Sequence, residues 1–125
     1  MRQRPDRQDL GKLGELLACD ALTRRGDAIL ATRYRTRFGE IDIVSVCRGV
    51  TVFVEVKARR SARHGSAVDA ISPIKRRRVA AMALDYLAWH GQLDAPCRFD
   101  VVAIDNLACP RQTVRVIEGA FTLDH

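Results

Sequence analysis

Between Gly39 and Arg60 the chain reads GEIDIVSVCRGVTVFVEVKARR, two runs rich in β-branched residues separated by Arg48-Gly49. Such runs predict strands, and the Arg-Gly pair predicts the tight turn between them. Upstream, RQDLGKLGELLACDALTRRGD places Leu10, Leu13, Leu17, Asp20–Ala21 and Arg24 at partial helical spacing, with Gly26 as the stop. Residues 1–9 are expected to be flexible. AILATRYR predicts a short strand, and SARHGSAVDAI reads as loop. Ser72-Pro73 then opens a second helix, serine as cap and proline in the first turn. It runs to about His90 with Val79, Met82, Ala83, Tyr86 and Leu87 as its buried stripe, and Gly91 ends it. CRFDVVAID and QTVRVIEG are two further strands. The order αβββαββ predicts one α/β domain over residues 1–125, a mixed sheet flanked by helices.

Three charged residues interrupt the apolar hairpin: Asp42, Glu55 and Lys57. Side chains alternate across a strand, so Phe53, Glu55 and Lys57 share one face and Val52, Val54 and Val56 the other. By the same rule Asp42, Val44 and Val46 share a face. If Arg48 and Gly49 form a two-residue loop, Cys47 pairs with Val50 and Asp42 falls opposite Glu55. Directly paired residues hold their Cβ atoms ~4.5–5.5 Å apart. Two carboxylates that close repel unless a positive charge lies between them. A hard divalent cation fits, with the Val56 carbonyl as a further ligand and Lys57 reaching the same spot. A cation there polarises a phosphodiester oxygen and acidifies a bound water, while lysine orients the water or offsets charge on the phosphate. Taken singly, each residue has an ordinary reading as a solvated surface charge or a turn acceptor. Together on one predicted face they favour a site.

Composition changes the picture in one respect. Twenty-one Lys and Arg against 15 Asp and Glu give a formal charge of +6, which suits a polyanionic partner as well as simple solubility. No stretch has the ~18 apolar residues of a membrane span, and the basic N-terminus has no apolar segment behind it, so a cytoplasmic protein is expected. The four cysteines are scattered without a CxxC and apart from the histidines, which argues against a disulfide framework and a zinc site.

The spacing from Asp42 through Glu55 to Lys57, D-x₁₂-E-x-K, resembles the motif of the PD-(D/E)XK nucleases. GKLGELLACDALTRRGDAIL, RYRTRFGEIDIV, VFVEVKARR, KRRRVAAMALDYLAWHG and RFDVVAID together resemble the YraN family of small bacterial proteins, over roughly Gly11 to Phe121. That family is similar to archaeal Holliday junction resolvases. The resemblance implies a restriction-endonuclease-like fold, a metal-dependent endonuclease acting on phosphodiester bonds, branched DNA as substrate, Mg²⁺ or Mn²⁺ as cofactor, and a homodimer. It also implies that a glutamate of the first helix joins the active site, and Glu15 matches it. On its own Glu15 reads as a favourable acid near a helix N-terminus. Two departures stand out. Arg33 replaces the asparagine usual before the aromatic at Tyr34, and Ile41, not proline, precedes Asp42.

The catalytic set expected is therefore Glu15, Asp42, Glu55 and Lys57, with Asp42, Glu55, the Val56 carbonyl and Glu15 as metal ligands. Lys75-Arg76-Arg77-Arg78 opposes the helix dipole at the second helix's start, a misfit that bound phosphate relieves; Lys75 and Arg76 are the first candidates. Arg33, Arg35, Arg37, Arg59, Arg60 and Arg63 flank the site in sequence and are expected to hold a nucleic-acid backbone. Asp100 is read as structural, paired with Arg98 or another cation. Tyr86 and Trp89 are expected to pack the second helix. Tyr34 offers a ring for base stacking, and His64 stands in a basic loop. Two other functions stay open: a nucleic-acid-binding module without turnover, and a protein-interaction domain of the same fold.

Overall fold

Asp6 begins the first helix by accepting a hydrogen bond from the Asp9 N–H at 2.8 Å, and Gly26 ends it in the left-handed conformation, φ 104°. The computed structural model describes residues 6–60 and 71–122. Among these lie α1 (Arg7–Arg25), β1 (Ala28–Thr36), β2 (Gly39–Cys47), β3 (Val50–Ala58), α2 (Pro73–Trp89), β4 (Cys97–Asp105) and β5 (Thr113–Phe121). The element order is the expected one. Because α1 starts at Arg7, residues 7–9 belong to a capped helix and are not loose as the sequence suggested. The loop-like segment before Ile71, with Arg63 and His64, lies outside the described residues. No described helix is long and apolar enough to cross a membrane.

The sheet runs β1-β2-β3-β4-β5, antiparallel except for β3 and β4, which lie parallel. A parallel pair needs a crossover connection, and α2 supplies it. Arg48 and Gly49 form the two-residue hairpin loop, both with positive φ (50° and 81°), the geometry that matches strand twist. Cys47 pairs with Val50 as expected.

Each sheet face has its own core. On one, Val79, Met82, Ala83, Tyr86 and Leu87 of α2 pack on Ile41, Val44, Phe53, Phe99 and Val101. On the other, Ala18 and Leu22 of α1 pack on Ile43, Val52, Val54, Val102 and Ile104. The α2 stripe is the predicted one. The α1 stripe differs: the buried line is Gly14, Ala18 and Leu22, while Leu10, Leu13 and Leu17 are only partly covered. Small residues let the helix lie close to the sheet, and a Cβ at Gly14 would stand 3.5 Å from that of Ala58. Trp89 does not pack α2 but is 79% exposed. The next inward position after Tyr86 is His90, whose ring stacks on Tyr86 at 3.9 Å and whose Nδ1 lies 2.8 Å from the Tyr86 carbonyl oxygen. Tyr34 also packs, edge-on to Tyr86 at 5.0 Å.

Asp100 is fully buried and structural, as expected. It accepts from Arg98 (2.9 and 3.1 Å), Arg25 (2.7 Å) and the Gly119 N–H (2.9 Å). Arg25 also donates to Asp27, which accepts from Ser45. Burial pushes the Asp100 carboxyl upward, but the bonds from Arg98, Gly119 and Arg25 outweigh it and hold it below its ordinary range. Asp100→Ala strands two arginines in a shielded site and should cost about 3–5 kcal/mol, read as a lower urea midpoint at an unchanged denaturant slope.

Candidate active site

The strand alternation slips where the site begins. Arg33 of β1 has φ 50°, and Ala31 and Tyr34, three residues apart, both pack on the α2-side core. Their partners in β2 follow: Val44 pairs with Ala31, Ile41 pairs with Tyr34, and both face α2. Asp42 therefore does not share the face of Val44 in the simple way the alternation predicts. The β2–β3 pairing has the expected register and reaches Ile43–Val54. Beyond it, the Asp42 carboxylate accepts the Val56 N–H at 2.8 Å. Since the N–H and C=O of an extended residue point to the same side, the Val56 carbonyl faces the same edge of β3.

Asp42 is thus placed at a rim between two clefts. On the α1 side, a cleft of about 250 Å³ is lined by Gly11, Gly14, Glu15, Arg33, Glu40, Asp42, Val56 and Ala58. On the α2 side, one of about 200 Å³ is lined by Asp42, Glu55, Lys75 and Arg78 among others, and Glu40 again. Of the predicted catalytic residues, Asp42 shares one cleft with Glu15 and the other with Glu55, and neither cleft holds all three acids. Alternation puts Lys57 on the Glu55 face, half-buried, and among the described residues it has no hydrogen-bond or ion-pair partner.

Two of the acids already hold a cation. Lys75 Nζ meets Glu55 Oε1 at 2.5 Å, and Arg33 Nε meets Glu15 Oε2 at 2.6 Å. The hydrogen bond to Glu15, and then its charge, raise the Arg33 pKa. Asp42 has only the Val56 N–H. Burial first, and then the charge of Glu55, push its carboxyl up to about 7, against smaller downward pulls from Val56 and Lys75.

Lys75, expected on a phosphate, instead reaches the acids. It stands four residues before Val79 and seven before Met82, in line with the buried stripe of α2, so its direction was readable from the helical period. Glu40, two residues before Asp42, is a site residue the sequence reading passed over. It lines both clefts and pairs with Arg35 at 3.0 Å.

The flanking cations divide. Arg59 is largely buried, donates to Asp105 at 2.8 Å, and ties the end of β3 to β4; its role is structural, contrary to expectation. Arg76 donates to the Ile71 carbonyl at 3.1 Å and lies over the Phe121 ring, so it braces the start of α2. Arg37 lies over Phe38 at 4.9 Å. Arg33 and Arg60 line clefts at the site and beside it.

The donor set is Asp42, Glu55 and the Val56 carbonyl, hard oxygen ligands of the kind Mg²⁺ takes while keeping several waters. Among the described residues no three His, Cys, Asp or Glu side chains gather into a metal cage. A partly protonated, shielded carboxylate beside a second carboxylate is the electrostatic demand that a cation meets, so the residues fit such a group.

Residues 14–104 match the model of an uncharacterised protein family, UPF0102. The chain belongs to this family, the YraN family of the sequence resemblance. It is 44% identical over 112 residues to a UPF0102 protein of Symbiobacterium thermophilum, covering 90% of this chain and 95% of that one. A UPF0102 protein of Geotalea uraniireducens is 43% identical over 120 residues, covering 96% and 94%. One of Burkholderia vietnamiensis is 54% identical over 85 residues, covering 67% and 59%. The UPF0102 match covers every lining residue of the two clefts except Gly11.

The raised Asp42 pKa has a consequence for stability. The folded state favours the protonated acid, so stability is lost as pH rises from about 4 to 7. Asp42→Asn keeps a carbonyl acceptor for Val56 and removes that loss. In EDTA the variant should match wild type near pH 4 and be more stable by about 1–3 kcal/mol at pH 8, measured by urea denaturation across pH.

Proposed function

We propose that this UPF0102 protein is a divalent-metal-dependent nuclease acting on DNA, with branched DNA as its substrate class. The observation that carries the reading is Asp42, held at the end of the hairpin by the Val56 N–H, beside Glu55 and across one cleft from Glu15. Asp42, Glu55 and the Val56 carbonyl would hold Mg²⁺ or Mn²⁺. Such an ion, when bound, polarises a phosphodiester oxygen and lowers the pKa of a bound water.

The remaining work falls to the chain's own side chains. Lys57, half-buried on the Glu55 face, orients the attacking water and offsets charge developing on the phosphate. It is no metal ligand while protonated, since an ammonium has no lone pair. Glu15 fixes Arg33 at the wall of the Asp42 cleft, where the guanidinium meets a phosphate. Lys75 holds the negative charge of Glu55 and, with Arg78, gives the α2-side cleft a positive wall.

Two experiments test this. Calorimetry should find one Mn²⁺ bound by wild type, with affinity lost in both Asp42→Asn and Glu55→Gln; unchanged binding in the two variants sinks the shared site. Single-turnover cleavage of branched, flapped, single- and double-stranded DNA should fall by ~10²–10³ in Lys57→Ala, with most DNA affinity kept, because the group acts mainly on the transition state. Equal cleavage by the variant would make Lys57 a surface charge. DNA binding without cleavage by wild type would favour a binding module.

A further inference from the structure

The α1-side cleft does not end at Glu15. It shares Gly11 and Ala58 with a second cleft of about 480 Å³, lined by Arg7, Leu10, Gly11, Ala58, Arg60 and Leu107. The two differ in chemistry. The first carries the acids. Among the described residues the second has no carboxylate in its lining, an apolar floor from Leu10, Ala58 and Leu107, and two arginines. Among the described residues neither Arg7 nor Arg60 has an ion-pair partner, so both charges are available to a ligand. At the junction stands Gly11, exposed on an interior turn of α1. A Cβ added there would meet nothing within 4 Å. Glycine in a helix interior weakens the helix relative to alanine, and packing does not require it here. What its bareness provides is an open passage between the two clefts.

We infer that the second cleft is a binding site for an unpaired nucleotide of the substrate strand, which passes over Gly11 to bring its neighbouring phosphate to Asp42. The inference rests on the nuclease reading above and specifies the substrate's form. A duplex hides its base faces in the stack and presents edges and phosphates. An apolar floor flanked by cations suits a strand whose base face is exposed and whose phosphates are bound on either side. Arg7 and Arg60 take the phosphates, and Leu10, Ala58 and Leu107 take the base or sugar.

The test is fluorescence anisotropy of the full chain with a labelled single-stranded 15-mer and with the same sequence as a duplex. Wild type should bind the single strand more tightly. Gly11→Leu, whose Cβ has open space around it and whose longer side chain narrows the passage, should melt no lower than wild type and bind the single strand about tenfold more weakly or worse. Gly11→Ala should lose less. Arg7→Ala/Arg60→Ala, far from the core, should weaken single-strand binding and lower its log–log salt slope by ~0.7 per lost contact. If wild type binds nucleic acid but Gly11→Leu and the double-arginine variant bind the single strand as wild type does, the second cleft is not on the strand's path and the nuclease reading stands alone. Duplex preferred by wild type likewise overturns the inference. If wild type binds neither strand form at low salt, both readings fall.

Discussion

A carboxylate stands where β3 would otherwise have a strand partner. β2 pairs with β3 as far as Ile43 and Val54, and the free Val56 N–H beyond is taken by Asp42. A shielded N–H is costly to leave unsatisfied, and here an anionic side chain at the strand edge satisfies it. The rest of the site follows from that. Asp42 is fixed in place by the backbone bond, brought into the field of Glu55, and left short of positive charge. Ile41 and Val44, three residues apart on β2, both face α2, and Arg33 in the facing stretch of β1 has a positive φ.

Around this deficit the protein arranges two cations. Lys75 and Arg33 are long side chains on opposite sides of the sheet, each bound to an acid that neighbours Asp42. Each arrives from an element whose position a core fixes, α2 by its stripe on Phe53 and β1 by Tyr34 against Tyr86. Both ends of the charge pattern can therefore be exchanged for a ligand's charges without disturbing either core. Asp100 is the opposite case. Its three donors converge on it in the interior, none points into a cleft, and its role stays structural.

Most of the scaffold was legible because it depends on short-range rules. β-branched runs, the Arg48-Gly49 turn, the Ser72 cap and the α2 stripe all set local geometry that the packing then keeps. The Asp42–Glu55–Lys57 grouping was legible through pairing register, which is counted outward from a turn. The face of Asp42 was not, because a positive φ at Arg33 lies in a different strand and carries no signal in β2 itself. Trp89 and Arg59 failed for another reason. Residue type suggested a buried indole and a free guanidinium, but the helical phase put Trp89 outward and the partner of Arg59, Asp105, is far along the chain. The Lys75 contact with Glu55 follows from its helical phase, in line with Val79, although its place in a basic run suggested only a phosphate contact.

α1 is fastened unevenly. Its last turn is bolted by Arg25 to Asp27 and Asp100, and its middle rests on Ala58 through Gly14, while its first turns have a cap and partly covered leucines. A rod clamped at one end pivots there. Any tilt of α1 that left the charge cluster whole would be smallest at Leu22 and greatest at Arg7, at the end of the helix that lines the clefts. The same cluster that stabilises the fold thereby also anchors the wall that Gly11, Gly14 and Glu15 form along the α1-side cleft.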